Sequence, residues 1–143
     1  MMGGDLIRYL LRHPFVRFCM VGAAGYVVDA SVLAFDTGPL GLNFTYGRAF
    51  SILVAMCFTW LGNRYVTFAD RRARSFSGAA EEALKFMGTN AIGAVVNYTV
   101  SLALVNYAGA PFHNKFVAQA CGVLAGLLFN FTLSRQLVFK ARS

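Results

Sequence analysis

The chain has 143 residues, 57% of them hydrophobic and 13% charged, with a net charge of +7. Soluble domains carry about 25% charged residues, so this balance, with a mean hydropathy of +0.56, excludes an ordinary soluble globular domain. The positive charge then points to membrane topology rather than nucleic acid, because Lys and Arg collect on the cytoplasmic side of membrane proteins.

The opening MMGGDLIRYLLRHPF is too short, and too interrupted by Arg8 and Arg12, for a cleaved signal peptide. The first span is therefore expected to stay as a signal-anchor. It is predicted over about residues 15–35, with Pro14 suited to a first helical turn. DTGPLGLN, Asp36 to Asn43, reads as a short turn. A second span is predicted over about 44–62 and contains Arg48. Residues 63–83 read as a polar connection carrying Arg64, Arg71, Arg72, Arg74, Glu81 and Glu82. Span three is predicted over about 84–108, GAPFHN is a second turn, and span four covers about 115–133. Phe86 to Asn114 holds no charge over 29 residues and Phe116 to Ser134 none over 19. Crossing the hydrocarbon takes about 20 mostly apolar residues. The expectation is an all-α membrane protein, one domain over residues 1–143 with four transmembrane helices.

Of the 13 Lys/Arg residues, 11 fall on one side of this scheme; only Arg48 and Lys115 do not. Both termini are accordingly expected in the cytoplasm.

The chain also repeats itself. RFCMVGAAGYVVD, Arg17 to Asp29, returns 68 residues later as KFMGTNAIGAVVN, Lys85 to Asn97. Phe18 maps to Phe86, Gly22 to Asn90, Gly25 to Gly93 and Asp29 to Asn97. The hairpin ends match at an offset of 71: Thr59 to Phe68 aligns with Asn130 to Phe139, which carries Arg48 to Gln119. Two hairpins of two spans are expected, related by a pseudo-twofold along the membrane normal. The glycines at 22, 25, 93, 122 and 126 read as close helix packing. Cys19, Cys57 and Cys121 lack metal-ligand spacing and read as small buried hydrophobes.

Asp29 and Arg48 each lie about 14 residues from the inner end of their span, roughly 21 Å deep at 1.5 Å per residue. An ionisable residue at such depth costs at least about 2.5 to 3.5 kcal/mol, so the two are predicted to pair. Their repeat equivalents, Asn97 and Gln119, are predicted to form a neutral amide pair at matching depth. Two readings of Asp29–Arg48 stand beside each other: an interhelical clamp, and a phosphate-binding Arg48 steadied by Asp29. A proton-coupling Asp29 is a third.

Arg17-Phe18-x3-Gly22-x2-Gly25-x3-Asp29 and the ending Asn130-Phe131-x2-Ser134-Arg135-x3-Phe139, echoed at Asn63-Arg64-x3-Phe68, resemble the GtrA-like family over roughly residues 14 to 140. These are small four-span proteins of the bacterial inner membrane. The chain departs from the family pattern at Thr59 and Ser134, where Asn is usual. The resemblance implies a role in cell-surface polysaccharide or lipopolysaccharide synthesis, moving polyprenyl-phosphate-linked sugars across the membrane or assisting the glycosyltransferase that makes them.

Within that expectation, Arg17, Arg64, Lys85 and Arg135, one at the inner end of each span, would hold the lipid phosphate, with Asn63 and Ser134 as polar neighbours. The headgroup would then pass Asn90, Asn97 and Arg48, and Lys115 would receive it at the outer leaflet. Lys115 reads equally as a lysine snorkelling to headgroups. Four spans make a thin wall for such a path, so a homodimer or a complex with another protein is expected. Nothing resembles a nucleotide loop, a catalytic triad or a useful carboxylate pair; neither enzyme activity nor a cofactor or metal is expected. The alternative is a scaffold that recruits a polyprenyl-phosphate glycosyltransferase through Arg71, Arg72 and Arg74. A proton-coupled exporter of small cations, like the small multidrug resistance proteins, shares the span-one carboxylate. It is disfavoured by Arg48 at the level of Asp29.

Overall fold

The computed structural model describes residues 2–138, with side chains over residues 3–129 except Phe15. Every regular element among the described residues is helical. Helix α1 spans Met2–Arg12, α2 Pro14–Thr37, α3 Phe44–Gly62, α4 Phe76–Tyr107 and α5 Lys115–Val138. A π-helical turn, Asn63–Thr67, continues α3, and a 3-10 turn, Ala69–Arg71, follows.

The helix starts follow local chemistry. Pro14 opens α2, where its missing N–H costs nothing. The side chain of Asn43 caps α3 by accepting from Tyr46 N at 3.1 Å, and Ser75 caps α4 by accepting from Gly78 N at 3.1 Å. Asn114 does the same for α5 through Phe116 N at 3.0 Å. The α2–α3 turn closes through Gly41, whose φ of 64° is the left-handed region that glycine enters without strain.

Three boundaries differ from the sequence expectation. Residues 2–12 form a helix, α1, that the sequence reading left unassigned. The connection over 63–83 is mostly helical: α3 runs on into the π-helical turn, and α4 begins at Phe76 rather than near residue 84. Asp36 belongs to the last stretch of α2, not to the turn, and is 1% exposed.

Three helices, Val16–Thr37, Phe44–Thr67 and Phe76–Tyr107, are long and apolar enough to cross a membrane; the described apolar part of α5 is shorter, Lys115–Phe129. Helix α2 packs chiefly on α3 and α4 on α5, with α3 and α4 joining the two pairs. Close approach within each pair uses glycine. A Cβ at Gly25 would collide with the Thr59 methyl, and one at Gly126 would stand 2.6 Å from the Gly93 carbonyl oxygen. Gly22 is the exception, exposed with open space around it.

The interior is inverted relative to a soluble domain. Among the described residues, the buried apolar set is Val21, Leu33, Ile52 and Ala118. Eight polar residues are buried beside them: Asp29, Asp36, Arg48, Ser51, Asn63, Thr67, Ser101 and Gln119. Leu, Phe and Val side chains cover the outside instead. In lipid the apolar effect gives helices no reason to associate, so small residues and polar contacts hold them together. Cys19 and Cys57 follow the same inversion: both are exposed, not buried as expected.

Candidate functional site

Arg48 is fully buried, and its guanidinium is the hub of the bundle. Nη1 donates to Asp29 Oδ1 at 2.6 Å and to Ser51 Oγ at 3.0 Å. Nη2 donates to Asn97 Oδ1 at 2.6 Å, and Nε to Ser101 Oγ at 3.3 Å. Ser101 donates to Asn97 O at 2.8 Å and has Ala118 O at 3.2 Å. One cation thus ties α2, α3 and α4 together, and Ser101 passes the contact on to α5. A charge this deep survives because acceptors replace the water it has lost.

The sequence expectation of a Asp29–Arg48 pair matches this geometry, but the Asn97–Gln119 pair does not form. Asn97 turns its carbonyl to Arg48, a charged donor and so a stronger partner than a neutral amide. Gln119 is fully buried, and neither Nε2 nor Oε1 finds a hydrogen-bond partner among the described residues.

Seven residues before Asn97, about 10 Å nearer the start of α4, Asn90 borders a groove of about 410 Å³. Its apolar walls are Phe18, Trp60, Phe68 and Phe86, and Arg64, Arg71, Arg72 and Glu82 edge it. Phe18 and Phe86 are repeat equivalents, so the two halves present the same side chain to one space. Trp60 Nε1 has no partner among the described residues. Beside the groove lies a basic cleft of about 510 Å³, lined by Arg64, Tyr65, Asp70, Arg72 and Arg74. Arg64 belongs to both.

That arginine is held from two sides. It pairs with Glu82 through Nη1, while Nη2 donates to Ala73 O at 2.6 Å. The second Glu82 oxygen accepts from the Ala73 backbone N–H. The guanidinium also lies 6.0 Å from the Trp60 ring centre and 5.7 Å from that of Tyr65, and Arg72 covers Tyr65 at 4.7 Å. Cation–aromatic stacking of this kind orients Arg without consuming its donors.

The family model for the GtrA/DPMS transmembrane domain matches residues 17–139. The chain belongs to that family. Membership makes it a membrane protein of glycosyl-lipid or polysaccharide synthesis. No curated protein and no solved structure matches it.

Within this GtrA/DPMS domain the expected ring of cations is only partly assembled. Arg64 and Asn63 line the groove, and Asn63 is 6% exposed, accepting from Thr67 Oγ1 at 2.9 Å. Arg17 is spent on the backbone, donating to Leu11 O at 3.0 Å and Val66 O at 3.2 Å. Lys85 stands outside both spaces, ion-paired with Glu81 at 2.7 Å on an exposed helix face. The side chains of Ser134 and Arg135 lie outside the described residues. At the opposite end, Lys115 donates to Thr37 Oγ1 at 2.8 Å, tying α5 to α2.

Arg71 and Arg72, the expected contact for a glycosyltransferase, also edge the groove. Sequence reasoning missed Ser51, Ser101 and Glu82. The two serines carried a signal: Ser51 is one helical turn from Arg48, and Ser101 one turn from Asn97. Glu82 carried none, because its role depends on how residues 68–75 fold back.

Proposed function

We propose that this protein carries polyprenyl-phosphate-linked sugars across the bacterial inner membrane, with four spans and both termini in the cytoplasm. The observation behind this reading is the position of Arg64. It stands where an aromatic groove of about 410 Å³ meets a basic cleft of about 510 Å³. An amphiphile with an anionic head and a prenyl chain matches that division. The chain lies against Phe18, Trp60, Phe68 and Phe86, while phosphate and sugar rest among the arginines.

Asn90 and Asn97 then give the head a polar stripe toward Arg48, whose charge a passing phosphate can share. Lys115 marks the outer end of that route. The protein acts as a carrier without bond-making chemistry. It works as a homodimer, because four spans make a thin wall for such a path. Flipping of a polyprenyl-phosphate sugar in proteoliposomes tests the reading. Stimulation at least tenfold over empty vesicles is expected, and a rate equal to theirs overturns it.

The recruitment of a glycosyltransferase is the second reading, supported by the exposure of Arg71, Arg72 and Arg74. Replacing the three by Gln should then abolish co-purification with the glycosyltransferase, and co-purification that survives overturns this reading.

A further inference from the structure

Glu82 lines the groove beside Arg64, which borders both spaces, and its bonds are those of an anion held in a made seat. One carboxylate oxygen pairs with the Arg64 guanidinium and the other accepts from the Ala73 backbone N–H. Arg64 closes the ring by donating to Ala73 O. Guanidinium plus backbone N–H is the donor set that also receives a phosphate oxygen. The surroundings remain under-neutralised: among the described residues lining the two spaces, Arg64, Arg71, Arg72 and Arg74 face two carboxylates, Asp70 and Glu82. The Glu82 side chain is still 32% exposed, so an incoming anion can reach it. It belongs to α4, whereas Arg64 follows α3; exchanging the carboxylate for a ligand would free the two helix pairs from each other at this end.

We propose that the Glu82 carboxylate occupies the seat of the cargo phosphate and is displaced when a phosphate ester binds. This rests on the carrier reading and adds a competitor within the chain. The cargo's phosphodiester matches the single charge and two free oxygens of Glu82 and adds the contacts of its prenyl chain along the groove, so it loads the groove and unlocks the contact between helix pairs. Neutral lipids leave Glu82 in place.

The test uses the full-length protein in nanodiscs, with undecaprenyl phosphate and, separately, inorganic phosphate as probes. Trp60 is the sole tryptophan and lines the groove, so its fluorescence reports binding. Glu82→Gln keeps the shape and one acceptor but removes the competing charge. It should bind undecaprenyl phosphate about tenfold tighter, the scale of one charge-assisted hydrogen bond. Should that variant fail to fold, Glu82→Asp pulls the charge back by one methylene and should tighten binding by a smaller factor. Inorganic phosphate responding to the same degree would assign the seat to phosphate in general, and a response of the lipid alone to the headgroup. Unchanged or weaker binding by the folded variant overturns the proposal while the carrier reading stands. A wild-type protein that binds no phosphate lipid overturns both.

Discussion

The two helix pairs descend from one pattern yet solve the same burial problem differently. In α2/α3 the polar positions are Asp29 and Arg48, an ion pair at 2.6 Å. In α4/α5 the equivalent positions are Asn97 and Gln119, both amides. A pair of hairpins that each satisfied its own polar groups would have no reason to dock through them. Here the first pair carries a donor with capacity to spare, since a guanidinium has five N–H groups, and the second lends it Asn97 and Ser101. The asymmetry binds the halves together. It also leaves Gln119 buried without a partner among the described residues, as expected when one member of a pair is drawn to a stronger donor.

The comparison breaks most severely at Arg48. Arg48→Ala leaves Asp29 buried and uncompensated and takes the bond from Asn97, so the first pair loses its charge balance and the second its tether. Removing one partner of a buried ion pair costs about 3–5 kcal/mol. Denaturant unfolding in detergent should show a loss of that size. A loss below about 1 kcal/mol would mean that water already reaches the guanidinium.

How much of this was readable beforehand divides along the same line. The pairing of Asp29 with Arg48 follows from equal depth on helices joined by a short turn, which is local geometry. Span positions likewise follow from uncharged stretches, and Asn43 and Ser75 carry the cap signal at their helix starts. The choice made by Asn97 depends on how the two pairs dock, and no periodicity within either pair encodes that. The early start of α4 was obscured by Glu81, Glu82 and Lys85. Charge marks where a helix leaves hydrocarbon, but a capped helix continues in water. Arg64 was visible as a motif residue. Its setting between a groove and a cleft was not, because Ala69 to Arg74 must first fold back beside it.

A gentler change makes the first pair resemble the second. Asp29→Asn with Arg48→Gln gives amides at all four equivalent positions and removes both charges at once. With both charges removed no uncompensated charge stays buried, so unfolding should lose less than with Arg48→Ala, about 1–2 kcal/mol for the weakened bonds to Asn97 and Ser101. Flipping should nevertheless fall at least tenfold, since the site that shares its charge with phosphate is gone. Full flipping by the folded double variant would reduce Asp29–Arg48 to a clamp.

The smallest effect is expected at Gln119, and its sign is informative. A buried amide with unmade hydrogen bonds carries a desolvation penalty of about 1–3 kcal/mol, whereas Leu of similar length carries none. Gln119→Leu should therefore stabilise the protein, by about 1 kcal/mol once the imperfect fit of the branched side chain is deducted. Denaturant unfolding beside Arg48→Ala measures it on the same scale. If the variant is instead less stable, Gln119 has a partner in the membrane. Asn97 stands on the other helix of the same pair, and combining Gln119→Leu with Asn97→Leu identifies it. A double loss equal to the sum of the two single losses excludes Asn97 as that partner. A double loss smaller than the sum means that the second pair makes its own amide bond part of the time, and that Asn97 divides itself between Gln119 and Arg48.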